Sequence, residues 1–193
     1  MSPRPAIAEE RILAGARAAL AKHGWAGVTL ERVAAEAGVS RVTLHRRGTT
    51  KEGLLEALSA RAVEEYRAAL WPALTAPGDA AGRLEQALTA LCSVAEDNLG
   101  LLLALGAASD AVFHEEGEQA LTRDVFTEPL ERLLRDGAAD GTLASGDPVE
   151  GATVLFNLVG WTYVHLRTGH GWPPERAARA TLGVALEGVR ARE

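Results

Sequence analysis

The sequence predicts an all-α protein of about nine helices, and three observations predict it. Alanine and leucine dominate, no apolar/polar alternation extends beyond a few positions, and Gly and Pro cluster so as to leave helical lengths between them. The breaks stand at Gly24, Gly27, Gly38, Gly48, 72–78, 137–141, 146–148 and 169–174. With 193 residues, 47% hydrophobic and 24% charged, the chain can bury a sizeable core and has the composition of an ordinary globular protein.

Residues 8–23 put Ile12, Ala16, Ala19 and Leu20 on one stripe and leave Arg11, Arg17 and Lys22 for water, an amphipathic first helix. Thr29 suits the N-cap of a short second helix over 30–37, with Val33, Ala34 and Ala37 inward and Gly38 as its left-handed stop. Ser40 caps a third short helix from Arg41 to about Arg47. The three residues Gly38-Val39-Ser40 between them match a helix-turn-helix. A fourth helix is expected from Lys51 to about Leu70, stopped by Trp71-Pro72. Asp79 opens a fifth, whose apolar stripe is Leu84, Ala87, Leu88, Leu91 and Ala95, and an apolar piece follows over 99–108. Another helix is expected over 116–135, bent by Pro129. Asp147-Pro148, a cap followed by a first-turn proline, starts a long helix to about Thr168, and Pro174 starts the last one.

Charge is divided along the chain. Residues 1–52 carry nine Arg or Lys against five Glu, a net of +4, whereas residues 53–193 carry a net of −10, for −6 in all. A basic N-terminal quarter joined to an acidic remainder points to a polyanionic partner for the first part. Catalytic chemistry finds no footing. The five histidines show no metal-ligand spacing, no Gly-x-Ser-x-Gly elbow occurs, and no glycine run cradles a phosphate. The single cysteine, Cys92, can form neither an internal bridge nor a multi-cysteine zinc site, and reads as a small buried hydrophobe. The expectation is a protein that is not an enzyme and uses no cofactor or metal. The first residues lack the apolar core of a signal peptide. The longest apolar stretch, 152–166, is interrupted by Asn157 and His165 and falls short of the ~18 residues of a membrane span, so a cytoplasmic address without a membrane partner is expected.

The turn around Val39 would fix the second and third helices at a steep angle and free the N-terminal half of the third to enter a major groove. That half carries Arg41, Val42 and Thr43, with His45, Arg46 and Arg47 following. Arginine can read guanine bidentately, and valine and threonine methyls can pack on a thymine methyl. The remaining donors suit phosphate oxygens, which position the module on the duplex.

Residues 11–58 extend this pattern through Arg11-Ile12-Leu13 with Ala16, Gly24, Val28-Thr29-Leu30, Val33-Ala34, Ala37-Gly38-Val39-Ser40, Thr43-Leu44, Lys51-Glu52 and Leu54-Leu55. In this order of elements the segment resembles the N-terminal domain of the tetracycline-repressor (TetR/AcrR) family of bacterial transcriptional regulators. The resemblance implies that Thr29 and Lys51 contact phosphate, Lys51 aided by helix-terminal amides, and that Arg41, Val42, Thr43 and Arg46 face base edges or the flanking backbone, beside Ser40. The chain departs from the family where an aromatic-rich Tyr-x-x-Phe usually closes the recognition helix: His45-Arg46-Arg47-Gly48 stands there instead. His45 can still donate to phosphate, but Gly48 cannot pack the third helix against the fourth. Gly53, in the first turn of the fourth helix, costs up to ~1 kcal/mol. The expected consequence is a looser recognition helix with extra positive charge.

The last two helices are apolar nearly all round and must be buried on more than one side. Another copy of the chain is the expected second partner, in an isologous four-helix bundle, as the resemblance also implies. Its candidate residues are Val154, Leu158, Trp161, His165, Leu182, Leu186 and Val189. Two recognition helices would then lie about one DNA turn apart, roughly 34 Å, and read a near-palindromic operator on double-stranded DNA. The resemblance further implies a pocket for a small apolar or amphipathic effector, for which Leu88, Leu91, Cys92, Leu102, Phe113, Phe126, Phe156 and Trp161 are candidate lining and Asn157 a polar handle. Two domains are expected, a helix-turn-helix domain over 1–50 and an effector-binding and dimerisation domain over 51–193. The expected function is a homodimeric transcriptional repressor released from its operator by the effector. The alternative is a ligand-binding or interaction protein of the same fold that has lost specific DNA binding.

Overall fold

The computed structural model describes residues 5–108 and 123–191. Among these the backbone forms nine α-helices: α1 (Pro5–Gly27), α2 (Leu30–Ala37), α3 (Arg41–Arg46), α4 (Lys51–Thr75), α5 (Ala80–Asp97), α6 (Leu99–Ala108), α7 (Glu128–Asp140), α8 (Pro148–Thr168) and α9 (Pro174–Val189). A π-helical turn, Arg123–Thr127, precedes α7, and an isolated antiparallel bridge joins Leu143 to Arg190. The expected all-α fold is thus the observed one.

The chain forms two compact units, Met1–Ala62 with Asn98–Val112, and Val63–Asp97 with Phe113–Glu193. In the N-terminal unit α1, α2 and α6 close on a core of Ile12, Ala16, Ala19, Leu20, Val33, Ala34, Leu44, Leu54, Leu58, Leu101 and Ala104. The stripe expected on the first helix is the buried one. Small residues let these helices approach closely. A Cβ on Gly15 would stand 2.6 Å from the Ala37 backbone nitrogen, so only glycine lets α1 touch the end of α2. Two polar ties finish the contact: Arg11 Nη2 donates to the Ala37 and Gly38 carbonyls at 3.0 and 3.1 Å, and Lys22 pairs with Glu36 at 2.7 Å.

In the C-terminal unit α5, α7, α8 and α9 pack through Leu84, Leu88, Leu130, Leu133, Val159 and Ala177, all fully buried. The whole stripe expected on the fifth helix is buried. Asp140, at the end of α7, accepts from the Ala80 backbone N–H at 2.9 Å and so caps α5 from another element. It also accepts from the Thr142 hydroxyl at 2.6 Å, and these hydrogen bonds hold its carboxyl below the ordinary range, that of Thr142 foremost.

Three element boundaries differ from expectation. The first helix breaks at Gly24 (φ 61°, ψ 172°) and makes one further turn, reaching Gly27 instead of stopping at 23. The fourth helix runs through Pro72 to Thr75. Proline removes one hydrogen bond there, but Leu70 and Ala73 are buried on either side of it and the Thr75 hydroxyl donates to the Trp71 carbonyl at 2.9 Å, so packing outweighs the loss. Pro129 does not bend a helix; it lies in the first turn of α7, where a missing N–H costs no bond. The stretch 116–122 lies outside the described residues.

Candidate nucleic-acid interface

The helix-turn-helix is built by its caps. Thr29 is extended and its hydroxyl accepts from the Arg32 N–H at 3.3 Å, starting α2. Gly38, at φ 61° and ψ 38°, ends it, and the Gly38 and Val39 N–H groups return to the Ala35 and Ala34 carbonyls. Ser40 starts α3 by accepting from the Thr43 N–H at 3.1 Å, and the Ser40 and Thr43 hydroxyls lie 2.9 Å apart. Leu44, fully buried, is the side chain that anchors α3 to the core. Its burial fixes which face of the helix looks out. Val42 and Arg46, two residues to either side, must point away from the core, and Val42 is 65% exposed. Arg41, His45 and Arg47 are exposed beside them, and Thr43 is half-buried. α3 spans six residues and ends at Arg46, one residue before the expected end.

Two side chains already have partners. Arg41 Nη1 pairs with Glu31 Oε1 of α2 at 2.8 Å. Lys51 Nζ donates to the Trp25 carbonyl at 2.6 Å and lies 4.0 Å over the Trp25 ring, tying the start of α4 to the end of α1. At the same helix start the Thr50 hydroxyl accepts from the Gly53 N–H at 3.0 Å, and a Cβ at Gly53 would also stand 3.0 Å from that oxygen. Neither Glu31 nor Trp25 was singled out from the sequence, because no helical spacing links them to Arg41 and Lys51.

The residues considered for an effector pocket fall in different places. Leu88, Leu91 and Cys92 are buried on α5, and burial pushes the Cys92 thiol up to about 12. Phe126 stands 5.2 Å from both Tyr66 and Phe156, ring centre to ring centre, and the Tyr66 hydroxyl donates to the Phe126 carbonyl at 3.0 Å. Tyr66 was missed, although it continues the four-residue spacing of Leu54, Leu58 and Leu70 along the fourth helix. Asn157 and Trp161 do not join this cluster as polar handle and lining. Both are on the exposed face of α8, where Asn157 Nδ2 donates to the Thr153 carbonyl one turn back at 2.8 Å. Leu102 belongs to α6 in the N-terminal unit, and Phe113 lies outside the described residues.

The candidate dimer residues divide by face. Val154, Leu158 and Trp161, exposed by 60%, 38% and 38%, continue to exposed His165 as one stripe along α8. On α9, Leu186 is buried within its own unit, and Leu182 and Val189 are half-buried. The packing of α9 on α5 and α8 instead turns out Val184, 69% exposed and not singled out from the sequence. Between α5 and α8 lies a polar cluster also missed. Arg167 grips Glu96 with Nε and Nη2, both at 2.7 Å, and the Tyr163 hydroxyl donates to Glu96 at 2.8 Å. The Arg167 hydrogen bond foremost holds the Glu96 carboxyl below its ordinary range. Among the described residues no cluster of His, Cys, Asp and Glu could hold a metal ion, and no single helix is long and apolar enough to cross a membrane.

Residues 12–58 match the family model of the bacterial regulatory proteins of the tetR family, about a quarter of the chain. No curated protein matches the sequence significantly. Among solved structures, a bacterial regulatory protein in the tetR family from Rhodococcus is similar over 100% of both chains, at 22% identity and a TM-score of 0.72. The TetR family transcriptional regulator PfmR from Thermus thermophilus is similar over 92% of this chain and 97% of its own, at 22% identity and a TM-score of 0.71. AibR, solved with isovaleryl coenzyme A and operator DNA, is similar over 92% of this chain and 97% of its own, at 17% identity and a TM-score of 0.68. The fold is that of these regulators, and the matched segment is the helix-turn-helix just described.

Proposed function

On the premise that residues 12–58 are the helix-turn-helix domain of a tetR-family transcriptional regulator, we propose that the protein is a repressor that binds a near-palindromic operator as a homodimer and is released by a small effector. The observation that carries the reading is the anchoring of α3 by Leu44, which leaves Arg41, Val42, His45, Arg46 and Arg47 outward on the basic part of the chain. Arg41 and Arg46 have the chemistry to read guanine, and Val42 a thymine methyl. Thr29 and Ser40 act first as caps, the Thr43 hydroxyl lies against that of Ser40, and all three join the interface as backbone contacts. Lys51, with one donor on Trp25, keeps further N–H groups for phosphate.

Dimerisation is supported by the exposed stripe of Val154, Leu158, Trp161 and His165 with Val184, a surface that a second copy would cover isologously. Effector release draws on α4, which starts at Lys51 in one unit and ends in the other. A ligand that binds Leu88, Leu91, Cys92, Phe126 and Phe156 differently in two positions of this helix shifts operator affinity about 5- to 150-fold. The apolar lining fits an apolar or amphipathic molecule, and catalysis has no part in the reading. AibR lends the operator DNA to this proposal, but not its ligand.

The test is selection of duplexes from a randomised DNA pool, followed by a salt series on the selected site. Sequence preference retained at ~0.15 M salt, with a log–log slope of about −0.9 per phosphate neutralised, is the expected result. Retention without sequence preference would favour the alternative of a fold that no longer reads DNA. His45-Arg46-Arg47-Gly48 and the short α3 are the observations in favour of that alternative.

A further inference from the structure

Within this reading of DNA recognition, we propose that Glu31 is a specificity-determining residue, which aims the Arg41 guanidinium at its base and weakens sequence-independent binding. The two side chains meet at 2.8 Å across the helix-turn-helix, from the first turn of α2 to the first residue of α3. Both are exposed, and an exposed ion pair adds little to stability, so the fold does not depend on it. Its effect falls on the arginine. A lone exposed arginine samples many rotamers, and ordering it at an interface weakens binding by about two- to tenfold. Glu31 takes that guanidinium by Nη1, leaving the edge formed by Nε and Nη2 as the pair of donors that matches guanine O6 and N7.

Glu31 is itself held in place. Its own backbone N–H, the Arg41 charge and the Thr29 hydroxyl together hold its carboxyl below the ordinary range, so it stays charged at neutral pH. A line of contacts thus runs from Thr29, a proposed phosphate contact, through Glu31 to Arg41, a proposed base reader. The carboxylate has a second effect. Standing beside the phosphate backbone, it repels any duplex whatever its sequence, while the gain from an aimed arginine is made only on the right base. The aimed arginine raises the ratio of specific to non-specific affinity, and the repulsion lowers both affinities alike, so that less protein is held on unrelated DNA.

The experiment uses the full chain, duplexes selected from a randomised pool by the wild-type protein, and the same duplexes with each base pair changed. Thermal melts first establish that the variants fold. Glu31→Gln is expected to lower discrimination about five- to tenfold at one base pair per half-site, and to raise affinity for an unrelated duplex about two- to fivefold. Glu31→Asp, which keeps the charge, retains most of the discrimination. In an Arg41→Ala background Glu31→Gln changes discrimination no further, which a merely structural residue would not show. If the wild type selects a sequence and Glu31→Gln keeps the full preference, or its effect on discrimination persists without Arg41, the proposal is overturned while DNA reading stands. If the wild type selects nothing at ~0.15 M salt, DNA reading and this proposal fall together.

Discussion

The N-terminal and C-terminal units bury similar residues and differ in what their candidate interaction faces expose. In the first, alanine and leucine fill the core, and α3 with the residue after it turns out Arg41, Arg46 and Arg47, with Val42 the one large apolar residue among them. In the second, leucines fill the core, partly exposed polar ties such as Glu96–Arg167 and Asp140–Ala80 flank it, and Val154, Leu158, Trp161 and Val184 face out. Cations left in water suit a polyanion, whereas exposed apolar surface lowers its free energy by meeting a like surface. This contrast is what supports proposing DNA as the partner of one unit and a second copy of the chain as the partner of the other.

The largest effect should come from the anchor of the recognition helix. Leu44→Ala is expected to cost about 2–5 kcal/mol, enough to unfold a small unit, with loss of amide protection over 30–58 before the C-terminal unit is affected. Equal loss of protection in both units would break the contrast, since it would make their stabilities one. Leu158→Asp tests the outward face of α8. In an isologous pair it sets two carboxylates together, and the dimer dissociation constant measured by sedimentation should rise at least ~30-fold, or about 2 kcal/mol, with the helical circular dichroism of the folded chain retained. A monomeric wild type would remove the basis for a paired site.

Gly15→Ala sharpens the contrast from inside. The added methyl meets the Ala37 backbone, which cannot swing aside as a side chain could, so a cost of about 1–3 kcal/mol is expected in denaturant titration. The smallest effect belongs to Glu96. Its carboxyl titrates lower folded than unfolded, so its stabilisation is complete above its ordinary value of 4.5 and is lost as pH falls through the folded value. Glu96→Gln should flatten the acid side of the melting profile. The change should be under the about 2–4 °C that 1 kcal/mol produces in a domain of this size, because the pair is partly exposed.

Much of the N-terminal site was legible because its signals are local. A cap three residues from its N–H and a glycine at a left-handed position lie within one turn, and Thr29, Gly38 and Ser40 behave as their neighbours dictate. The proline in α4 misled because its cost is local and its compensation, the burial of Leu70 and Ala73, is not. The apolar breadth of α8 and α9 was legible in the sequence, but which residues face out was not. Leu186 turned inward and Val184 outward once α9 had settled on α5 and α8.

By itself the sequence determined the helix class, the caps, the turn around Val39 and the basic character of the first quarter, all set by bonds and charges between near neighbours. Only the tertiary structure decided that Arg41 meets Glu31, that Lys51 meets Trp25, that Tyr66 joins Phe126 and Phe156, and that Asn157 faces outward. Those pairings join residues 10 to 60 or more positions apart, or depend on the roll of a helix about its axis. Close packing of a whole core selects among such arrangements, and no local run of side chains encodes that choice.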